Sequence, residues 1–215
     1  MSEVVVALYD TFEQAQAAVN DLVNSGYHRS NISLALNDPD RRYVDYTDPE
    51  EDVDAGEGAG FGAVVGGLTG LVAGLVAITI PGIGPIVAAG PLAAVLGGAT
   101  GAAIGATAGA ITGGITASLV DMGVPEDHAQ YYSEALRRGS ALVTVTADGP
   151  DVERAEIILR RHNSVDIERR ASTWQSSGWS GFDPDSPAYT SEELEAERRR
   201  YANEQHEPDV RRYSR

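Results

Sequence analysis

The sequence predicts an α+β protein whose sheet is built from two β-α-β units and is interrupted by a helical hairpin. Short runs rich in β-branched residues, each followed by an amphipathic segment at helical spacing, occur on both sides of the chain's centre. Between them, residues 58–120 form a run of 63 residues without Asp, Glu, Lys, Arg or His. Two ordinary half-domains around one uncharged insert are therefore expected.

The first half-domain is predicted at residues 1–36. Glu3–Tyr9 is a valine-rich strand, and Thr11 or Asp10 can cap a helix over Phe12–Ser25. Asn31–Leu36 alternates apolar and polar residues and predicts a second strand. Because a helix separates the two strands, we expect them to run parallel.

Residues 37–57 are predicted to be a solvated linker, since they hold nine acidic residues and two arginines. Calcium binding is the alternative, with Asp48, Glu50, Asp52 and Asp54 as ligands. The spacing of an EF-hand loop, with glycine at its sixth position, is absent from the sequence. The linker interpretation is therefore favoured.

The insert, residues 58–120, carries two ladders of glycines spaced by four. Such a stripe lets another helix approach closely, and close packing must compensate for a cost of about 1 kcal/mol per interior glycine. The sequence thus predicts a glycine zipper as a helix-packing surface. Its members are Gly58, Gly62, Gly66, Gly70, Gly74, Gly97, Gly101, Gly105, Gly109 and Gly113.

A turn is predicted where two prolines and two glycines interrupt the insert. The turn residues are Pro81, Gly82, Gly84 and Pro85. We expect it to join helices over Gly58–Ile80 and Pro91–Leu119, long enough for two membrane passes of about 20 residues each. The alternative is that these hairpins pack against copies of themselves in a protein core.

The second half-domain is predicted at residues 121–170. A helix over Pro125–Arg138 precedes a strand, Ala141–Ala147; a helix over Asp151–His162 then precedes a short fourth strand, Val165–Glu168.

Neither half has enough strands to stand alone, so we expect them to share one sheet. This predicts the ferredoxin-like plan: four antiparallel strands, two helices on one face, and the insert between the second and third strands. Both ends of the insert would then lie on the same side of any membrane. The polar tail, residues 171–215, is predicted to be disordered apart from a charged helix within Ser191–Glu204.

Three stretches of the sequence carry a resemblance to a known family. They are the first strand with Phe12, Ala15, Ala18 and Val19 after it, the segment Pro81–Ala94, and the segment Gly123–Val145. Over about residues 3–170 the chain resembles the bacterial general stress proteins, heat-induced or low-temperature-induced, that carry a YflT-like domain. The resemblance implies a stress-induced, non-enzymatic protein, of a kind often regarded as membrane-associated, and supplies no catalytic residues.

The residues themselves also argue against an enzyme. The chain has no cysteine, its histidines (His28, His128, His162 and His206) lie in four separate segments, and no phosphate-binding loop occurs in the sequence. We therefore expect no catalytic residue, cofactor or metal. A net charge of -16, with arginine as the only strongly basic residue type, also argues against nucleic acid as a partner.

The most suggestive polar group follows the insert and includes Tyr131, Tyr132, Arg137 and Arg138. One interpretation is an interfacial collar, with tyrosines at the level of lipid headgroups and arginines reaching anionic lipid. The other, which we favour, is that a tyrosine packs on the sheet and the arginines cap the helix end.

The sequence thus predicts a non-enzymatic stress-response protein that acts by packing. Its glycine-zipper hairpin would insert into, or lie against, the inner membrane and self-associate. The alternative is a soluble, homo-oligomeric binding or scaffolding module. The N-terminus, Met1-Ser2-Glu3, has no signal-peptide pattern, so we expect a protein of the cytoplasm or of the cytoplasmic side of the inner membrane.

Overall fold

The computed structural model describes residues 2–40, 76–97, 114–201 and 207–214. Within these ranges the chain forms six strands and seven α-helices. In order, they are β1 (Ser2–Tyr9), α1 (Phe12–Asn24), β2 (Ile32–Asn37), β3 (Val76–Ile80), β4 (Gly84–Ala89), α2 (Gly90–Gly97), α3 (Gly114–Asp121), α4 (Glu126–Arg137), β5 (Ala141–Asp148), α5 (Pro150–Arg160), α6 (Ile167–Ser176), α7 (Ser191–Tyr201) and β6 (Arg211–Ser214). The α+β class is therefore confirmed.

The six strands form one antiparallel sheet in the order β3-β4-β2-β5-β1-β6. β5 lies between β1 and β2, with Ile32 opposite Val145 and Val5 opposite Val145 from the other side. β1 and β2 therefore run parallel to each other without being neighbours. As expected, strands from before and after the insert share one sheet.

Helices α1 and α5 cover one face of the sheet. Thr11 begins α1 with a capping box, in which its hydroxyl accepts the Gln14 N–H and the Gln14 side chain accepts the Thr11 N–H. Apolar residues of both helices, Val19 and Leu159 among them, are buried with the strands beneath them. This burial accounts for the helical spacing of these residues in the sequence.

Helices α2, α3, α4 and α6 cover the opposite face. Their buried residues include Leu92, Ile115, Tyr132 and Trp174, which belong to one continuous apolar core with the sheet. The sheet is thus the middle of three layers, and the insert supplies part of the third.

The predicted first helix of the insert is wrong over its last five residues, because residues 76–80 form β3. The predicted turn is present, but it joins β3 to β4 rather than one helix to another. The β-branched run at Ile78, Thr79 and Ile80 suits a strand, and a short apolar run alone cannot distinguish a buried strand from a buried helix.

The described parts of the predicted second helix, Pro91–Leu119, are two helices, α2 and α3, which contact each other and so do not follow one helical axis. Gly97 is the last residue of α2. The other nine ladder glycines lie outside the residues that the structure describes. Over the described ranges, no helix combines the length and apolarity needed to cross a bilayer.

The C-terminal part of the chain also differs from the prediction. The predicted fourth strand, Val165–Glu168, is replaced by the start of α6, because the Asp166 carboxylate accepts the N–H groups of Glu168 and Arg169 and so caps a helix. The edge strand beside β1 is β6 instead. The tail, predicted to be disordered, is ordered over residues 171–201 and 207–214 and buries Leu194 and Tyr213.

Candidate functional site

The predicted turn of the insert and the predicted arginine pair meet in space, around the end of β2. We call this region the clasp; it consists of Asn37, the turn residues 81–85, Arg137, Arg138 and the loop 183–189. Asn37 is 3% exposed, and its side-chain Nδ2 donates to the carbonyl of Ile83 at 3.1 Å and to that of Arg137 at 3.2 Å. One amide thus links the insert to the end of α4.

The glycines of the turn are required by close contact with the C-terminal loop. Gly82 has a φ of 77°, and a β-carbon on it would lie 2.8 Å from the Cα of Pro184. A β-carbon on Gly84 would lie 2.9 Å from the Cβ of Ala188. Both distances are shorter than real side chains tolerate, so these two glycines let the loop lie directly on the turn.

Arg137 holds the same loop from the other side. Its Nη2 donates to the carbonyl of Pro187 at 3.2 Å, and its guanidinium lies 4.9 Å from the ring centre of Tyr189. Its Nη1 lies 3.3 Å from a carboxylate oxygen of Glu134. Arg137 therefore joins the helix α4 to the C-terminal loop through both charge and hydrogen bonding.

Arg138 lies at the centre of a buried ionic network. Its Nε donates to Glu134 at 2.6 Å, its Nη1 lies 3.3 Å from Glu197 of α7, and its guanidinium lies over the ring of Trp174 at 5.0 Å. The Glu134 side chain is fully buried. Burial disfavours the charged form of Arg138, but the Glu134 carboxylate outweighs it, and the pKa of Arg138 is raised.

The two tyrosines of the predicted collar lie in different surroundings. Tyr132 is 1% exposed, and its hydroxyl lies 3.2 Å from that of Tyr213, which is hydrogen-bonded to Nδ1 of His128 at 2.7 Å. Tyr131 is partly buried, with its ring centre 5.8 Å from that of Trp179.

Tyr132, Arg137 and Arg138, three of the residues named for the collar, are engaged within the protein. Tyr132 lies in the core, and the two arginine side chains, 13% and 15% exposed, contact the protein's own carboxylates and aromatic rings. A group already engaged in this way is not presented to lipid headgroups.

A cleft of about 160 Å³ lies beside the clasp, between α7, the start of α1 and the end of β2. Asn37, Asp38, Glu195 and Arg198 are among the residues that line it. The Oδ1 atom of Asn37 is buried without a hydrogen-bond partner among the described residues. Across the described ranges, no group of three or more His, Asp or Glu side chains is arranged to hold a metal ion.

Sequence reasoning missed Asn37 of the clasp and the two carboxylates that contact its arginines. Asn37 falls within the predicted acidic linker, although it directly follows an alternating strand. Glu134 precedes Arg137 and Arg138 by three and four residues, the spacing at which helical side chains meet, and this signal could have been used. Glu197 is 59 residues from Arg138 in the chain, and no local pattern pairs them.

Comparison with known proteins supports the resemblance found in the sequence. Residues 4–82 match the family model described as the heat-induced stress protein YflT domain. The match includes β1, α1, β2 and β3 and ends within the turn of the clasp. No curated protein and no solved structure matches the chain.

Proposed function

We propose, from the match of residues 4–82 to the YflT stress-protein domain, that the chain is a non-enzymatic stress-response protein that works by self-association through its glycine-rich insert. The insert is carried by the sheet and the helices that cover its two faces. We further propose that β2-β5-β1-β6 with α1 and α5 follows the ferredoxin-like plan, since its strand order and its two helices on one face match that plan. In this proposal β3 and β4 extend the sheet.

One observation carries the self-association proposal. The described parts of the uncharged insert are built into one side of the sheet, as β3 and β4 and as α2 and α3 above them. Residues 58–75 lead directly into β3, and residues 98–113 connect α2 to α3. Both glycine ladders are thus attached to ordered elements on the same side of the molecule.

The same observation disfavours two membrane passes. Residues 76–80 belong to the sheet, and the apolar residues Leu92, Leu96, Ile115 and Leu119 are buried against it. The uncharged run keeps 18 residues at 58–75 and 16 at 98–113 outside these elements. A helical pass needs about 20 apolar residues, and both segments are shorter than that and rich in glycine.

The test is the assembly state of the full-length protein in detergent-free buffer, measured by sedimentation velocity. We expect a defined oligomer, and we expect it to be weakened in Gly66→Leu and Gly105→Leu, because leucine would fill the stripe along which backbones pack. The matched controls are Gly67→Leu and Ala106→Leu, which add the same side chain one position away from each ladder.

Four results would contradict the proposal. A monomeric wild-type protein would rule out self-association, and equal effects of ladder and control substitutions would rule out the glycine stripe as its surface. Retention of the protein in cell membranes after carbonate extraction would favour the membrane alternative. Copurification of a stoichiometric cofactor would contradict the non-enzymatic assignment.

A further inference from the structure

The outer edge of β3 lacks a partner strand among the described residues, because β3 pairs with β4 on one side only. It is also the edge at which the insert enters the sheet. An exposed edge of this kind presents N–H and C=O groups that another strand can pair with.

The register identifies which backbone groups face outward. The Asp38 N–H donates to the Pro85 carbonyl at 2.8 Å, so Pro85 points toward β2. Since orientation alternates along a strand, Ile86 points the other way, toward β3, and meets Ile78 there. The N–H and C=O groups of Ala77 and Thr79 must then point away from β4.

We infer that β3 pairs antiparallel with β3 of a second copy, around a two-fold axis at Ile78. Each Ala77 then lies opposite the Thr79 of the other copy, and both have outward N–H and C=O groups. The two equivalent pairs make four hydrogen bonds, and the sheet continues from one molecule into the other. Such an interface is self-complementary, as a two-fold dimer requires.

The charge distribution favours a second copy as the partner. The chain carries a net charge of -16, yet β3, β4, α2 and α3 contain no charged residue before Asp121, the last residue of α3. Two such edges can meet without the repulsion that acidic surfaces would impose. Val95 of α2 and Val120 of α3 are 50% and 40% exposed, which adds apolar surface on this side.

The other edge of the sheet is protected by contrast. β6 is four residues long and begins with Arg211 and Arg212. Charge on an edge strand is a usual feature that prevents edge pairing; β3, with five residues, is also short, but it has no charged residue. The two edges therefore differ in charge, and the uncharged edge of β3 is the one at which another strand can pair.

This inference rests on the proposed self-association and names a surface for it. The first experiment removes a backbone N–H of β3 that faces away from β4. Thr79→Pro deletes the N–H that faces outward, and because that group does not pair with β4, the β3–β4 ladder stays intact. Two of the four hydrogen bonds are lost, so we expect the dimer dissociation constant to rise by about 30- to 100-fold in sedimentation equilibrium. Thr79→Val, which keeps the N–H, is the matched control and should leave the constant unchanged.

The second experiment uses the absence of cysteine from the chain. A non-hydrogen-bonded antiparallel pair places its Cα atoms about 4.5 Å apart, within the range that a disulfide spans. With copper-phenanthroline as the oxidant, two Ile78→Cys copies should lose two protons and two electrons and form a covalent dimer at least about 10-fold faster than Thr79→Cys copies, whose cysteines face Ala77 instead.

The outcomes separate this inference from the proposed function. The β3 edge is not the interface if the Thr79→Pro variant dimerises as tightly as the Thr79→Val variant. The same conclusion follows if the Ile78→Cys variant cross-links no faster than the Thr79→Cys variant. If the ladder substitutions weaken such an oligomer, self-association stands and only the edge is excluded. A monomeric wild-type protein overturns both. Circular dichroism of each variant confirms that the sheet is folded before its assembly is compared.

Discussion

The insert side and the C-terminal side of this molecule are held together by opposite kinds of interaction. On the C-terminal side, arginines, carboxylates and aromatic rings bind α4, α6 and α7 to one another. Arg170 is 4% exposed, contacts Asp10 at 2.9 Å and lies 3.6 Å from the ring centre of Tyr201. On the insert side, β3, β4, α2 and α3 pack through uncharged apolar residues, among them Ile86, Leu92 and Leu119.

The difference separates the contacts that hold the chain to itself from the side on which we propose that copies associate. The ionic contacts have specific geometry and join residues far apart in sequence, such as Arg138 and Glu197, so they fix the tail in one place. The insert side depends on close backbone approach, and the outer edge of its strand β3 has no partner among the described residues. The two sides should therefore respond to different substitutions.

The largest effect is expected on the insert side, from Gly90→Ala. Gly90 has a φ of 75°, and a β-carbon on it would lie 1.9 Å from the carbonyl oxygen of Ile32. Backbone cannot move aside easily in a paired sheet, so we expect a loss of more than about 3 kcal/mol of unfolding free energy in urea titrations followed by circular dichroism.

Gly26→Ala is the matched control for this substitution. Gly26 also has a positive φ, 94°, but nothing lies within 4 Å of the added carbon. This substitution should lower the unfolding free energy by about 1–2 kcal/mol, the cost of placing alanine at a positive φ. Equal losses in both variants would show that the close approach of α2 to β2 does not stabilise the insert side.

The next largest loss of unfolding free energy is expected on the C-terminal side, from Glu134→Ala. The Glu134 carboxylate is fully buried between Arg137 and Arg138, and removing it leaves two largely buried cations with reduced compensation. Breaking a buried pair in this way costs about 3–5 kcal/mol. Unfolding followed by tryptophan fluorescence is the appropriate measurement, since Arg138 lies over the ring of Trp174.

Asp151→Ala removes an ion pair of the same spacing at the surface. Arg154 and Asp151 are three residues apart, like Arg137 and Glu134, but their side chains are 53% and 59% exposed. Such a pair contributes about 1 kcal/mol at most. If Glu134→Ala is as mild as Asp151→Ala, the buried network does not hold the tail.

The sequence predicted those elements whose periodicity is set by a single buried face. α1 and α5 show their apolar residues at helical spacing because one side of each faces the sheet. β1, β2 and β5 are rich in apolar and β-branched residues and are bounded by turns. These local patterns can be recognised in the sequence without knowledge of the fold.

Prediction failed where burial is not one-sided or where a partner is distant. Ile86 and Val87 of β4 are buried on opposite faces, so the alternation that marks a strand is missing. At residues 165–168, a short sequence typical of a strand instead begins the helix α6, because Asp166 caps that helix. The clasp depends on contacts between residues 37, 83 and 137, which only the folded sheet brings together.

The smallest expected effect concerns the contact that holds β6. Burial raises the pKa of Tyr213 to about 12, against an ordinary value near 10. Above pH 10 the tyrosine ionises in the unfolded chain but stays neutral in the folded one. Its contribution to stability is therefore complete below pH 10 and is lost progressively as the pH rises toward 12.

Tyr213→Phe isolates this contribution. At pH 8 the variant loses the hydrogen bonds to His128 and Tyr132, and we expect a cost of about 0.5–1.5 kcal/mol. Because phenylalanine does not ionise, the advantage of the wild-type protein should shrink between pH 10 and pH 11, measured by urea unfolding at each pH. A constant difference from pH 8 to pH 11 would mean that Tyr213 ionises as readily in the folded protein as in the unfolded chain, and that β6 does not bury it.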